Sequence, residues 1–248
     1  MTKVENYRAE LRNIGIKEWD AYLLNNSGLP GRRGNIELAR AFALEGNREN
    51  FDRYLAYNSD IAPVNTPEEF FAFCGVLGCG RLLSEGDDLQ FKTLRACAGD
   101  PRWRIREGVA MALQMLGRSD MDRLILEMET WSRGSPLVQR AAAAGLCEPD
   151  MLFDERDSRR TIDILDRITV SIIDLRDRKS AGFIALRKGL GYCWSVAVAA
   201  NPDYGKPFFE KWLASRDKDI RWIMKQNLTK KRLMRMDKNW VEKCIAVI

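Results

Sequence analysis

The sequence contains no histidine. That absence excludes Ser-His and Cys-His nucleophile systems, most zinc sites and the usual general base near pH 7. Any chemistry must use carboxylates, Lys, Tyr or Cys. The six cysteines, Cys74, Cys79, Cys97, Cys147, Cys193 and Cys244, are scattered and form no CxxC pair. They suit buried thiols in a reducing cytoplasm. No GxGxxG or P-loop stands in the chain, so no nucleotide cofactor is expected, and no metal. No apolar run approaches the roughly 18 residues a membrane helix needs, so no membrane partner is expected. The polar, acid-containing start Met1-Thr2-Lys3-Val4-Glu5-Asn6 does not read as a signal peptide, which leaves a cytoplasmic expectation. Strand signals are nearly missing. The β-branched run Thr169-Val170-Ser171-Ile172-Ile173 continues an amphipathic helix from about 158 to 175.

What is present is globular. The 248 residues are 46% hydrophobic and 30% charged, which is a folding composition. Net charge is +5, mildly basic.

A repeat organises the chain. Ile105, Val138, Leu186 and Ile220 each open the same pattern. Four residues on stand Val109, Ala142, Leu190 and Met224, and eight residues on Leu113, Leu146, Trp194 and Leu228. Positions i, i+4 and i+8 share one helical face, so four helices carry one buried stripe. At i+7 stand the small residues Ala112, Gly145, Cys193 and Asn227, where a neighbouring helix can approach. The spacings of 33, 48 and 34 residues are those of helix-pair solenoids. Asp100-Pro101 and Ser135-Pro136 give an N-cap followed by proline, and Thr66-Pro67-Glu68-Glu69 reads as a capping box. Second (B) helices are expected to begin near Asn35, Pro67, Pro101, Pro136, Ser180 and Lys218. First (A) helices include 87–98 and 120–131. Arg40 and Gly75 interrupt the stripe in the N-terminal pairs, 1–66 above all. A helix over 238–248 is expected to cap the last repeat.

The runs Asp100-Pro101-Arg102-Trp103-Arg104-Ile105-Arg106 and Ser135-Pro136-Leu137-Val138-Gln139-Arg140 resemble the second-helix consensus of HEAT repeats, over most of residues 87–228. The expected fold is all-α, a right-handed α-α superhelix of HEAT/ARM type with about six helix pairs, in a single domain over 1–248.

Three features stand above the scaffold. Residues 210–235 hold nine cations against three acids, next to Trp212, Trp222 and Trp240; such a patch could hold phosphates or be a solvated solenoid edge. The B helices carry Arg106, Arg140, Arg187, Lys188, Arg221 and Lys225. In HEAT solenoids these helices line the concave surface, so the row could track a nucleic-acid backbone; the alternative is inter-repeat ion pairing with acids. The third is a further resemblance. Leu186-Arg187-Lys188-Gly189-Leu190-Gly191-Tyr192-Cys193-Trp194, with Asn201-Pro202, is similar to a stretch of bacterial alkylpurine DNA glycosylases built from HEAT-like repeats. The resemblance puts Tyr192 where that family has tryptophan, Glu107 where it has aspartate four residues after Trp103, and Arg140 at a phosphate-contacting arginine. It implies that aromatic faces hold a cationic base and that a carboxylate stabilises the positive sugar as the glycosidic bond breaks. The substitutions at 107 and 192 argue against turnover. The expected function is a non-enzymatic protein that binds DNA or another polyanion through its concave surface. The alternatives are an alkylated-base glycosylase using Glu107, Trp103 and Tyr192, and a protein-interaction scaffold. A smaller feature, Ser27 to Asn35, reads either as an anion-binding nest with Arg32 and Arg33 or as a tight turn capped by Asn35.

Overall fold

The computed structural model describes residues 1–247 and contains helices with no strand among them. Helices α1 (Lys3–Asn13), α2 (Trp19–Asn26), α3 (Ile36–Glu45), α4 (Arg48–Leu55), α5 (Glu69–Ser84), α6 (Leu89–Cys97) and α7 (Trp103–Ser119) form one compact unit, Met1–Ser119. Helices α8 (Met121–Trp131), α9 (Pro136–Leu146), α10 (Glu155–Ile173), α11 (Ala181–Ala200), α12 (Pro202–Leu213), α13 (Lys218–Leu228), α14 (Lys231–Met236) and α15 (Lys238–Ala246) form the second, Asp120–Ile248. All six expected B helices begin within two residues of the position read from the sequence. The expected capping helix is α15; Ile248 lies outside the described residues.

In the first unit α3, α5 and α7 run side by side. Glu69 meets Arg104 at one end of α5, Phe73 lies against Gly108, and Gly80 lies against Ala112. Contacts that rise together along both chains mean parallel helices. Helix α4 packs antiparallel on α5, Phe51 facing Gly78 and Leu55 facing Gly75. Helix α5 is buried on every side from Glu69 to Gly80, as a central helix must be. Gly75 therefore does not weaken the repeat: a Cβ there would lie 3.0 Å from the Leu55 nitrogen and the Phe51 oxygen.

The capping box expected at Thr66–Glu69 does not form. The cap of α5 is Glu68, without a side-chain hydrogen bond. Glu69 is drawn inward to Arg104 at 2.8 Å and accepts from the Asn65 N–H at 2.7 Å. A buried carboxylate must be paired, and that demand outranks the cap. Asp100 likewise holds the backbone and guanidinium of Arg102, and α7 starts at Trp103. Arg102 is itself buried and donates to the carbonyls of Tyr57 and Ala62, which end the preceding repeat.

In the second unit α9, α11 and α13 form the B row and α8, α10 and α12 the A row. Arg160 of α10 bridges to Asp122 of α8, and Asp166 of α10 takes Lys211 and Trp212 of α12. Helices α10 and α11 are antiparallel: Ser158 meets Asn201, and Thr169 accepts from the Trp194 indole. The apolar stripe residues read from the sequence are buried throughout. Asn227, expected only to be small, does more. Its amide donates to the carbonyls of Leu190 and Ile223 at 2.9 and 2.8 Å and accepts from the Ser195 N–H at 2.8 Å. With Arg187 on Asp219, this fixes α11 and α13 parallel, at an offset of 32 residues at both contacts. Helix α15 closes the unit through Trp240, which packs edge-on against Phe209 and donates to Glu210.

Candidate nucleic-acid interface

The parallel register of α11 and α13 decides what the second unit presents. Lys188 and Tyr192 lie one turn apart on α11, Arg221 and Lys225 one turn apart on α13. Lys188 and Lys225 are exposed and Arg221 half-buried. None of the three forms an ion pair among the described residues. The acids closest in sequence to Arg221 and Lys225 are used elsewhere: Asp219 is buried and held by Arg187 at 2.5 Å and Arg178 at 3.2 Å, and Asp217 takes Arg178 at 2.5 Å. Burial works against the charge of Asp217, but hydrogen bonds from Arg178 and from the N–H groups of Ile220 and Asp219 outweigh it and hold the carboxyl below the ordinary aspartate range. It also caps α13.

The six cations of the sequence reading thus divide. Arg187 takes the ion-pairing alternative; beyond Asp219, its guanidinium stacks on the Trp222 ring at 4.5 Å. Arg106 donates to the carbonyls of Asp100 and Pro101 at 2.6 and 2.8 Å, where it holds the turn into α7. Arg140 is half-buried on α9, its Cγ 3.3 Å from where a Cβ on Gly189 would stand. That close approach explains the glycine after Lys188. Lys188, Arg221 and Lys225 remain presented to solvent. In the C-terminal basic segment Lys211 is committed to Asp166.

Tyr192 is 41% exposed, but not bare. Arg232, from α14, stacks on its ring at 4.5 Å and donates to its hydroxyl at 2.6 Å. This pairing has no local signature, because 40 residues separate the partners. In the first unit Trp103 opens α7, 46% exposed, with the Arg104 guanidinium 4.6 Å from its ring. Glu107, one turn on and exposed, lines with Trp103 a pocket of about 150 Å³ walled by Leu29, Phe70, Phe73 and Met111. So Trp103 and Glu107 share one pocket in the first unit, and Arg140 and Tyr192 lie on adjacent helices of the second.

The segment 27–35 takes the turn alternative. Asn35 caps α3 through the Leu38 N–H, Gly31 donates to Asn65, and Arg104 donates to the Gly31 carbonyl. The N–H groups of Leu29 and Gly31 are spent on Ser27 and Asn65, and that of Asn35 on the Ser27 carbonyl. Gly28, at φ +71°, supplies the left-handed residue that turns the chain.

The described residues contain no group of His, Cys, Asp or Glu placed to hold a metal ion, and no helix long and apolar enough to cross a membrane.

No protein-family model matches the chain, and no curated protein does. Among solved structures, the X-ray crystal structure of AlkD2 from Streptococcus mutans is similar. Its TM-score is 0.62 at 20% identity, covering 87% of this chain and 98% of that one. The fold is HEAT-like and all-α. The distant resemblance read from short sequence runs therefore holds at the level of the fold.

Proposed function

We propose that the protein is a non-catalytic HEAT-like binding protein that engages a nucleic-acid backbone through α11 and α13. The observation that carries this is the set Lys188, Arg221 and Lys225, cationic and unpaired among the described residues, on two parallel helices whose nearby acids are neutralised from within. Packed helices lie about 8–10 Å apart and one turn rises about 6 Å. An array of that size matches a few successive phosphates of one strand. The resemblance to a DNA-acting family, with the fold likeness to AlkD2, makes duplex DNA the polyanion to test first.

A base-releasing reading has one observation in its favour, the pocket shared by Trp103 and Glu107. Against it stands the charge on both aromatics. An alkylated purine is cationic, and a cation is drawn to an aromatic face. Here a guanidinium already lies over one face of Trp103 and one face of Tyr192. A cationic base would meet like charge at each. Glu107 also carries its carboxylate one methylene further out than an aspartate would, and misplacement by about 1 Å can cost 100-fold in rate. A single domain over 1–248 and a cytoplasmic location stay part of this proposal; native proteolysis that frees 1–119 from 120–248 would count against the first.

The test is duplex DNA binding as a function of salt. With three phosphate contacts, log K should fall against log salt with a slope of about −2.7, from about 0.9 per contact. Replacing Lys188, Arg221 and Lys225 together by alanine should remove most of that slope. A slope unchanged in the triple variant takes these residues out of the interface, and absence of binding at low salt ends the proposal.

A further inference from the structure

The first unit holds a cavity that none of the residues proposed on α11 and α13 lines. It is the pocket of about 150 Å³ beside Trp103, between α3, α5 and α7. Leu29, Ile36, Phe70, Phe73, Trp103 and Met111 give it an almost wholly apolar surface. Arg33 and Glu107 also line it and are exposed, so they stand at its mouth. Water in such a cavity finds few hydrogen-bond partners, and an apolar ligand replaces it at little cost. An apolar cavity of about this size, walled by Leu, Ile and Phe, holds one benzene ring.

Packing around the cavity fixes its walls. A Cβ on Gly108 would lie 3.1 Å from the Phe73 ring, so α7 lies tight against that ring. Phe70 and Phe73 stack with centroids 6.3 Å apart. The Leu29 N–H donates to the Ser27 hydroxyl at 3.1 Å. Arg104 ties the loop before α3 to α5 and α7. Its guanidinium donates to the Gly31 carbonyl, to the Asn65 side chain at 3.0 Å and to Glu69 at 2.8 Å. A preformed site gives up little freedom when it binds a ligand.

The same contacts select the charge of an occupant. The Arg104 guanidinium lies 4.6 Å from the Trp103 ring centroid, so a cationic ring meets like charge there. An anion would lose its hydration without gaining a counter-charge. Arg104 is committed to Glu69, and Arg33 faces Glu37 at 3.8 Å. The aromatic walls favour an aromatic over a saturated ring, because ring edges and faces attract each other. The Met111 thioether adds to this preference. At the mouth Arg33 can donate and Glu107 can accept, which suits a hydroxyl. We propose that this cavity binds a small uncharged molecule built on one aromatic ring, with a hydroxyl or similar group at the mouth.

The experiment uses the full chain labelled with ¹³C-methyl methionine, titrated with phenol. The Met111 methyl signal, assigned by its loss in Met111→Leu, should shift saturably. Half-saturation is expected at about 1 mM or below, which a ligand of this size reaches in a preformed pocket. The methyls of Met128 and Met224, buried in the other unit, should not move. Nuclear Overhauser contacts from the phenol ring to the Met111 methyl should place the ligand in the wild-type chain. Cyclohexanol, close in size but without a π system, should bind at least threefold weaker. N-methylpyridinium, a cationic ring, should bind at least tenfold weaker. Gly34 also lines the cavity and lies outside the left-handed region. A Cβ there would stand 3.7 Å from the Phe70 ring, an ordinary contact. Gly34→Leu should fill the cavity, keep or raise the melting temperature and abolish the phenol shift, so loss of binding there is not loss of folding. Absence of a saturable Met111 shift would overturn the proposal. So would equal binding of phenol and cyclohexanol, N-methylpyridinium binding as tightly as phenol, or a shift that persists in a folded Gly34→Leu variant.

Discussion

Asn227 offers a sharp test of how the B row is held. Its side chain is fully buried and makes three hydrogen bonds of 2.8–2.9 Å, two of them to α11. Asn227→Ala removes both its donors and its acceptor. The Ser195 N–H is then buried without its partner, which costs about 1–3 kcal/mol. The lost bonds to Leu190 and Ile223 add about 1 kcal/mol each. A total of about 3–5 kcal/mol in a unit of this size lowers the melting temperature by roughly 10–20 °C. Asn227→Asp separates hydrogen bonding from shape. It keeps the volume but turns a carboxylate oxygen toward two carbonyl oxygens and buries a charge. The expected order of stability at pH 7 is wild type, then Ala, then Asp. The Asp variant should recover part of the loss toward pH 5, because burial raises that carboxyl and protonation lets it donate again. Thermal and urea unfolding at both pH values give the answer. An Asp variant as stable as wild type, or an Ala variant melting within about 2 °C of it, would mean that these bonds do not hold α11 to α13.

Other outcomes are expected. Gly80→Ala should destabilise the first unit by about 1–3 kcal/mol despite alanine's better helix propensity, since the new Cβ would lie 2.5 Å from the Ala112 Cα; unfolding by urea measures it, and a stabilised variant would refute the α5–α7 contact. Wild type and Glu107→Gln should release equal, background amounts of base from duplex DNA carrying a 3- or 7-methylated purine; robust release by wild type that vanishes in the Gln variant would make this an enzyme. Asp217 has a depressed folded-state pKa, so its stabilisation is present above the ordinary aspartate value of about 4 and is lost as pH falls through the lower folded value. Asp217→Asn, which can still cap α13, should therefore show a shallower loss of stability below about pH 4 than wild type. Matching acid-unfolding curves would remove the Arg178 pair from the account.

The sequence alone determined the secondary structure and the repeat. An apolar stripe at i, i+4 and i+8 can be buried by only one helical face, and proline with capping residues marks helix starts locally, so B-helix starts, helix pairing and the C-terminal cap were all legible. Local chemistry also misled where a distant partner competed for the same group. Glu69 reads as part of a capping box until Arg104, 35 residues away, supplies a buried counter-charge. Arg187 and Lys188 are adjacent cations in sequence, and only the position of Asp219 on the next repeat makes one an ion-pair member and leaves the other presented to solvent. Gly75 looks like a defect until α4 is laid across it. Tyr192 looks like an open aromatic platform until Arg232 arrives from α14. Periodicity is a property of one helix and survives in the sequence; which charges are cancelled, and which faces are covered, depends on residues brought close by packing, and only the tertiary structure decides it.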